Sequence, residues 1–123
     1  MTDTKLLTKS NLDMLLRVVD LRREDALQYK QTVLAAQWGK VRKFLEAYYD
    51  ADGWNRCRAL ALAQRCNEIG MDLDLDPLRD QDEIRPWFDA YDLILDLVSI
   101  AEKIHSPTMR ALLDHYAEVM DRD

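Results

Sequence analysis

The chain has 123 residues, of which 48% are hydrophobic and 33% charged, and its formal net charge is −6 at pH 7. This balance is typical of a soluble globular protein and excludes a disordered chain or one that spans a membrane. Three Gly and three Pro supply few turn residues for an all-β fold, and a single domain of this length can bury a core without disulfides or metals.

The spacing of apolar residues predicts an all-α fold, a single-domain bundle of four to five helices with no β-sheet. The predicted helices cover about residues 11–21, 25–51, 54–69, 80–105 and 107–121. Because the apolar stripe keeps its phase between residues 11 and 51, one rod of about 60 Å is an alternative to two helices. For a monomer we expect a break at residues 20–24, where polar side chains interrupt the stripe, whereas a dimer would accommodate the rod.

Glycines and a pair of cysteines mark the middle of the chain. Residues 50–53, with Gly53 last, form a turn signal that ends the second helix, and Gly70 is expected to stop the third. Cys57 and Cys66 would lie on opposite sides of that third helix, so we interpret both as buried, unpaired hydrophobic residues. Four aromatic residues near the turn are interpreted as core or interface packing, not as a platform for stacking bases: Trp38, Tyr48, Tyr49 and Trp54.

The stretch GMDLDLDPLR, residues 70–79, is predicted to be an extended acidic connection whose leucines pack on the core. Together with two acids that follow, its acids have the spacing of five ligand positions in an EF-hand calcium loop: Asp72, Asp74, Asp76, Asp80 and Glu83. Pro77 stands where that loop needs a glycine with positive φ, and proline cannot adopt such a φ. We therefore predict solvated acids and no metal site.

The helix predicted at residues 80–105 has a broad apolar face on one side and an acidic stripe on the other. The apolar face is broad: one line consists of Ile84, Phe88, Tyr91, Leu95 and Val98, and beside it lie Trp87, Ile94, Leu97, Ala101 and Ile104. The acidic stripe consists of Asp82, Asp89, Asp92 and Asp96, within roughly 80° of arc. The helix at 107–121 should fold back against it as an antiparallel hairpin. The expected buried residues are Leu34, Trp38, Val41, Leu45, Phe88, Tyr91, Leu95, Val98, Leu112 and Tyr116.

Charge is distributed unevenly between the two parts of the chain. Residues 1–69 contain 12 Lys and Arg against 9 Asp and Glu, whereas residues 70–123 contain 5 against 14, so the parts carry +3 and −9. The acidic part would repel phosphate and attract basic proteins. We therefore expect no direct nucleic-acid binding, and a protein partner with a basic surface.

The chain contains no nucleophile elbow, phosphate-binding glycine loop or zinc-ligand spacing, so we expect no catalytic residue, no metal and no cofactor. The leading hypothesis is a small acidic interaction module that modulates or inhibits another protein, one route being occupation of that protein's nucleic-acid-binding groove. Small inhibitors from phages and mobile elements are often of this physical type, which is a prior for the class and not a resemblance. The candidate partner-binding residues are Asp72, Asp74, Asp76, Asp82, Asp89, Asp92 and Asp96.

Two alternatives remain open. The first is a self-associating assembly module, for example a homodimer, and the second is an enzyme or metal-binding bundle. The N-terminal segment MTDTKLLTKS lacks the apolar core of a signal peptide, which favours a cytoplasmic protein.

Overall fold

The structure, a computed structural model, describes residues 5–105 and His115. These residues form four helices: α1 (Lys9–Gln28), α2 (Thr32–Ala47), α3 (Arg56–Asp74) and α4 (Gln81–His105). Two short antiparallel strands, β1 (Lys5–Leu7) and β2 (Trp54–Asn55), accompany them. The predicted all-α class is confirmed, with this small sheet as an unexpected addition. The predicted helix at 107–121 and the buried positions Leu112 and Tyr116 lie outside the described residues.

The break between α1 and α2 lies at residues 29–31, so both the predicted break at 20–24 and the unbroken rod are wrong. Lys30 adopts a left-handed conformation with φ 59°. Its N–H donates to the carbonyl of Leu27 at 3.1 Å, and the N–H of Gln31 donates to that of Ala26 at 2.8 Å. This pair of bonds is the Schellman ending of a helix, in which glycine usually occupies the left-handed position. The polar run at 20–25 continues the helix because most of its side chains are exposed and need no apolar partner.

Side-chain caps set the starts of α1 and α3. Thr8 accepts a hydrogen bond from the N–H of Asn11, and the Asn11 side chain accepts one from the N–H of Thr8 at 2.9 Å. This capping box starts α1 two residues before the predicted position. The side chain of Asn55 likewise accepts from the N–H of Arg58 at 2.8 Å and starts α3.

Gly53 joins the turn at 50–53 to the strand pair. Its N–H donates to the carbonyl of Asp50 at 2.9 Å, and its φ is 90°. A Cβ at this position would lie 2.2 Å from the carbonyl oxygen of Leu7, so no other residue fits without moving β1. The next residue, Trp54, is buried and donates from Nε1 to the carbonyl of Tyr48 at 2.8 Å.

The third helix extends past Gly70 to Asp74, so the predicted stop at Gly70 is wrong. Gly70 is buried inside the helix, where a Cβ would lie 2.9 Å from Cε1 of Phe88. Its role is close packing of α3 against α4, not chain reversal. The predicted extended segment is also wrong, because Asp72 and Asp74 are helical. Leu73 packs against the core as expected, whereas Leu75 is 81% exposed and Leu78 92%.

The core is formed by β1, β2 and one face of each helix. Trp38, Val41, Leu45 and Val98 are buried as predicted, whereas Leu34, Phe88, Tyr91 and Leu95 are only half-buried. The buried face of α4 consists of Ile84, Trp87, Ala90, Ile94, Val98 and Ala101. It lies within the broad apolar face that was predicted, but its middle is at Trp87 and Ile94, about 65° around the helix from the centre of the line that includes Phe88, Tyr91 and Leu95. A buried hydrogen bond from Trp87 Nε1 to Gln37 Oε1, 3.1 Å long, joins α4 to α2.

Candidate functional site

The acidic stripe of α4 lies on the side of the helix opposite its buried face. Asp92 and Asp96 are exposed, and Asp82 and Asp89 are half-buried. None of these four carboxylates forms a salt bridge with any residue that the structure describes. Four negative charges on one rigid helix, without a neutralising partner, leave a negative potential over this face.

The stripe is not purely acidic, because Arg85 lies within the same arc. It is exposed, three residues after Asp82 and four before Asp89. It forms no ion pair with a described residue. Since Asp92 and Asp96 lie farther along the helix, the part of the stripe beyond Arg85 is the more strongly negative.

The other three candidate acids lie at the end of the α3–α4 hairpin, close to Asp82 in the chain. Asp72 and Asp74 are exposed on the last turn of α3, and Asp76 is in the connection. Arg79 lies 3.4 Å from Asp76 and 2.7 Å from Glu83, and Glu83 chiefly raises the pKa of this guanidinium. Asp76 is therefore partly neutralised within the chain. The structure thus divides the seven candidates into two groups: Asp72, Asp74, Asp76 and Asp82 near the end of the hairpin, and Asp89, Asp92 and Asp96 farther along α4.

The calcium-loop spacing does not form a loop. Because Asp72 and Asp74 belong to α3, the acids of the motif do not surround a common point. Among residues 5–105 and His115, no cluster of three His, Cys, Asp or Glu side chains is arranged to hold a metal ion.

A basic groove between α1 and α2 was not found from the sequence. It has a volume of about 510 Å³, and its lining includes four cationic side chains: Arg23, Lys40, Arg42 and Lys43. Arg42 is held by Asp20 at 2.9 Å and by Glu46 at 3.5 Å. The other three form no ion pair within the described part of the chain. Only the register of the two helices brings Arg23 beside Lys40, which lies 17 positions away in the sequence.

The cysteines occupy different environments. Cys66 is buried, as expected, and burial raises the pKa of its thiol to about 12. Cys57 is exposed on the first turn of α3, so the expectation that both are buried is wrong. Both are free thiols.

The aromatic group packs instead of forming an open platform. Trp38 and Trp54 are buried, in agreement with the interpretation from the sequence. Tyr49 donates a hydrogen bond from its hydroxyl to Asp13 at 2.7 Å. Tyr48 is exposed, so its expected burial is wrong, although its ring meets Phe44 edge to face at 5.2 Å. These contacts leave no pair of parallel exposed rings for bases to stack on.

Over the described range, the helices lack an apolar stretch that could cross a membrane. No family model, no curated protein and no solved structure matches the chain.

Proposed function

We propose that this chain is a non-enzymatic interaction module that uses the acidic stripe of α4 to bind a basic surface of another protein and so modulate or inhibit it. The observation that supports this proposal is the set of unpaired carboxylates at Asp82, Asp89, Asp92 and Asp96, opposite the packed face of the helix. The four carboxylates outnumber Arg85, the one cation between them in the same arc, and an excess of negative charge accelerates association with a basic partner.

The rigidity of α4 supports the same proposal. Its 25 residues are anchored by Trp87, which donates to Gln37 and meets Phe44 edge to face at 5.7 Å. The stripe therefore presents its charges in a fixed geometry, and binding need not order a flexible segment. Pre-organised charge of this kind favours a partner with a fixed basic groove.

The spacing of the carboxylates along α4 can be compared with the spacing of phosphates along a nucleic-acid strand. Asp82 to Asp96 covers about 21 Å of helix axis, or roughly one carboxylate per 7 Å within the stripe. Phosphates along one strand of DNA are about 3.4 Å apart in axial rise. Counted by carboxylates, the stripe has the sign of nucleic acid at about half the linear density of one strand, and Arg85 lowers its net charge further. We propose that it occupies a basic nucleic-acid-binding groove by complementing its charge, without copying the positions of individual phosphates.

The proposal can be tested by capturing basic proteins from a cell extract on the immobilised chain, followed by binding kinetics with the purified partner. The variant Asp92→Lys/Asp96→Lys should slow association, and the difference from the wild type should shrink as salt rises. The matched control is Glu24→Lys/Asp25→Lys, which makes the same change in net charge on exposed positions of α1. A partner that binds nucleic acid should also release a bound duplex when the wild-type chain is added.

Equal losses in the two variants would mean that net charge alone drives capture, and unchanged binding would show that the stripe is only a solvated face. Either result would contradict the proposal. Thermal melts of both variants provide the folding control, since exposed charges usually change stability by less than about 0.5 kcal/mol.

Self-association is a second candidate, because the unpaired cations of the α1–α2 groove could receive the acidic stripe of a second copy. Such a contact joins two different surfaces, so it closes as a dimer if two copies exchange it about a two-fold axis and otherwise builds rings or open chains. Sedimentation at low and high salt distinguishes the candidates. Oligomers that form at low salt and dissociate at high salt would favour self-association. A monomer at both salt concentrations would favour a separate partner.

A further inference from the structure

We infer that the groove between α1 and α2 is a binding site for a small ligand with clustered phosphate groups, such as a nucleoside triphosphate. This inference is independent of the proposed role of the acidic stripe, which lies on another helix. It rests on the charge of the groove, on its volume and on its floor.

The groove is positively charged, although the chain as a whole is negatively charged. In a protein with a net charge of −6, four cationic side chains and one acid, Glu46, line a single groove. Arg23, Lys40 and Lys43 have no ionic partner among the described residues, so their mutual repulsion is not relieved within the chain. An anion in the groove would relieve it.

Arg42 adds a cation whose position is already fixed. Asp20 accepts from its Nε at 2.9 Å and Glu46 from its Nη1 at 3.5 Å, and the arginine side chain is only 29% exposed. A guanidinium held in this way keeps further N–H donors in a fixed orientation. Phosphate oxygens accept several such bonds at once, and a group with two or three phosphates can contact more than one of the four cations.

The floor of the groove is made of small side chains, Ala35, Ala36 and Gly39. A glycine inside a helix makes that helix less stable than an alanine would. Close helix packing does not require a glycine at position 39, because a Cβ there would meet only Nε of Arg23, at an ordinary contact distance of 3.7 Å. What the missing side chain leaves is open space beside that guanidinium.

The size of the groove suits a small ligand. Its volume of about 510 Å³ falls within the range of known small-molecule sites. Leu27 and the alanines provide an apolar wall and floor for an organic group, next to the cations that would hold phosphates. A nucleoside triphosphate should therefore bind more tightly than inorganic tripolyphosphate, which shares only the anionic part.

The test is isothermal titration calorimetry of the full chain with ATP and, separately, with sodium tripolyphosphate, at constant ionic strength. The variant Lys40→Gln/Lys43→Gln should bind both ligands at least ~10-fold more weakly. The matched control Arg17→Gln/Arg22→Gln removes two exposed charges from α1 outside the groove and should change affinity by less than about 3-fold.

A second variant separates the groove from diffuse surface charge. Gly39→Leu keeps every cation but fills the floor, so it should abolish binding while its circular dichroism and thermal melt show a folded protein. Retained binding in this variant would overturn the inference, as would equal losses in the two charge variants. Failure of the wild type to bind either ligand would also overturn the inference. That result would be expected if Lys40 and Lys43 instead contact a second copy of the chain.

Discussion

The Cβ that Gly70 lacks would lie 2.9 Å from Cε1 of Phe88, so the phenyl ring of α4 rests directly against the backbone of α3. Gly70 is buried and Phe88 half-buried, which places the contact at the edge of the core. The two residues fill one space between the helices. Their substitutions should therefore be energetically coupled.

We expect Gly70→Leu to lower the free energy of unfolding by about 1–3 kcal/mol, because the new side chain must displace the ring. In a Phe88→Ala background the same substitution should be less destabilising by at least ~1 kcal/mol, since the leucine can occupy the vacated space. Urea denaturation of the wild type, both single variants and the double variant measures this coupling. Additive losses would show that the two residues do not share the space.

Lys30 provides a second prediction, because it holds a left-handed conformation with φ 59°. Lys30→Gly should raise the free energy of unfolding by about 1 kcal/mol, since glycine adopts this conformation without a steric penalty. The control is Gln28→Gly, two residues earlier and still inside α1, which should be destabilising. Thermal or urea melts compare the two. A loss of stability in Lys30→Gly would mean that the lysine side chain makes a contribution larger than the backbone strain.

The two thiols should differ sharply in reactivity. Burial raises the pKa of Cys66 to about 12, so its reactive thiolate is scarce at neutral pH, whereas Cys57 is exposed. Under native conditions a disulfide reagent such as DTNB should label one thiol rapidly. Labelling should disappear in Cys57→Ser and persist in Cys66→Ser, and urea should restore it in Cys57→Ser. Rapid native labelling of Cys66 would contradict its burial.

Asp13 is expected to show a pH-dependent contribution to stability. The hydrogen bond from Lys9, at 2.7 Å, and then the one from the Tyr49 hydroxyl lower the pKa of this carboxyl below its ordinary 3.8. A lowered folded-state pKa stabilises the fold above pH 3.8, and that contribution is lost as pH falls through the folded-state value. Tyr49→Phe should move the pKa of Asp13 upward, toward 3.8.

A carboxylate NMR titration measures this shift directly. Tyr29→Phe is the control, because Tyr29 is 67% exposed and is not among the groups that affect Asp13. If both tyrosine variants leave the pKa of Asp13 unchanged, the bond between α1 and the end of α2 does not persist in solution.

The helical class was predictable because apolar periodicity survives in every helix, and residues such as Trp38 and Val41 lie in the core where the pattern places them. The helix break at Lys30 could not be predicted, because a lysine has no local preference for the left-handed conformation. Gly70 was misassigned, since a glycine that ends a helix and one that admits a neighbouring ring look alike in a sequence. On α4 the burial of individual residues was misjudged, because hydrophobicity gives more weight to Phe88 and Tyr91, which lie at one margin of the face, than to the small buried Ala90 at the other margin.

Of the two candidate surfaces, one could be predicted from the sequence and the other could not. The acidic stripe depends only on the geometry within one helix, so Asp89, Asp92 and Asp96 could be placed together from the sequence. The basic groove depends on how α1 and α2 lie against each other, and the apolar pattern does not determine that register. Charge that lies on two helices therefore becomes visible only in the fold.

Pairing of β1 with β2 has a consequence for the order of folding. Leu7 pairs with Trp54 across 46 intervening residues, which include all of α1 and α2. Closing so long a loop in an unfolded chain has an entropic cost that two or three residue pairs cannot offset. Once α1 and α2 have formed an antiparallel hairpin, its two ends already lie together and most of that cost has been met. We therefore expect the strand pair to form late, so that Leu7→Ala chiefly accelerates unfolding and leaves the rate of refolding nearly unchanged.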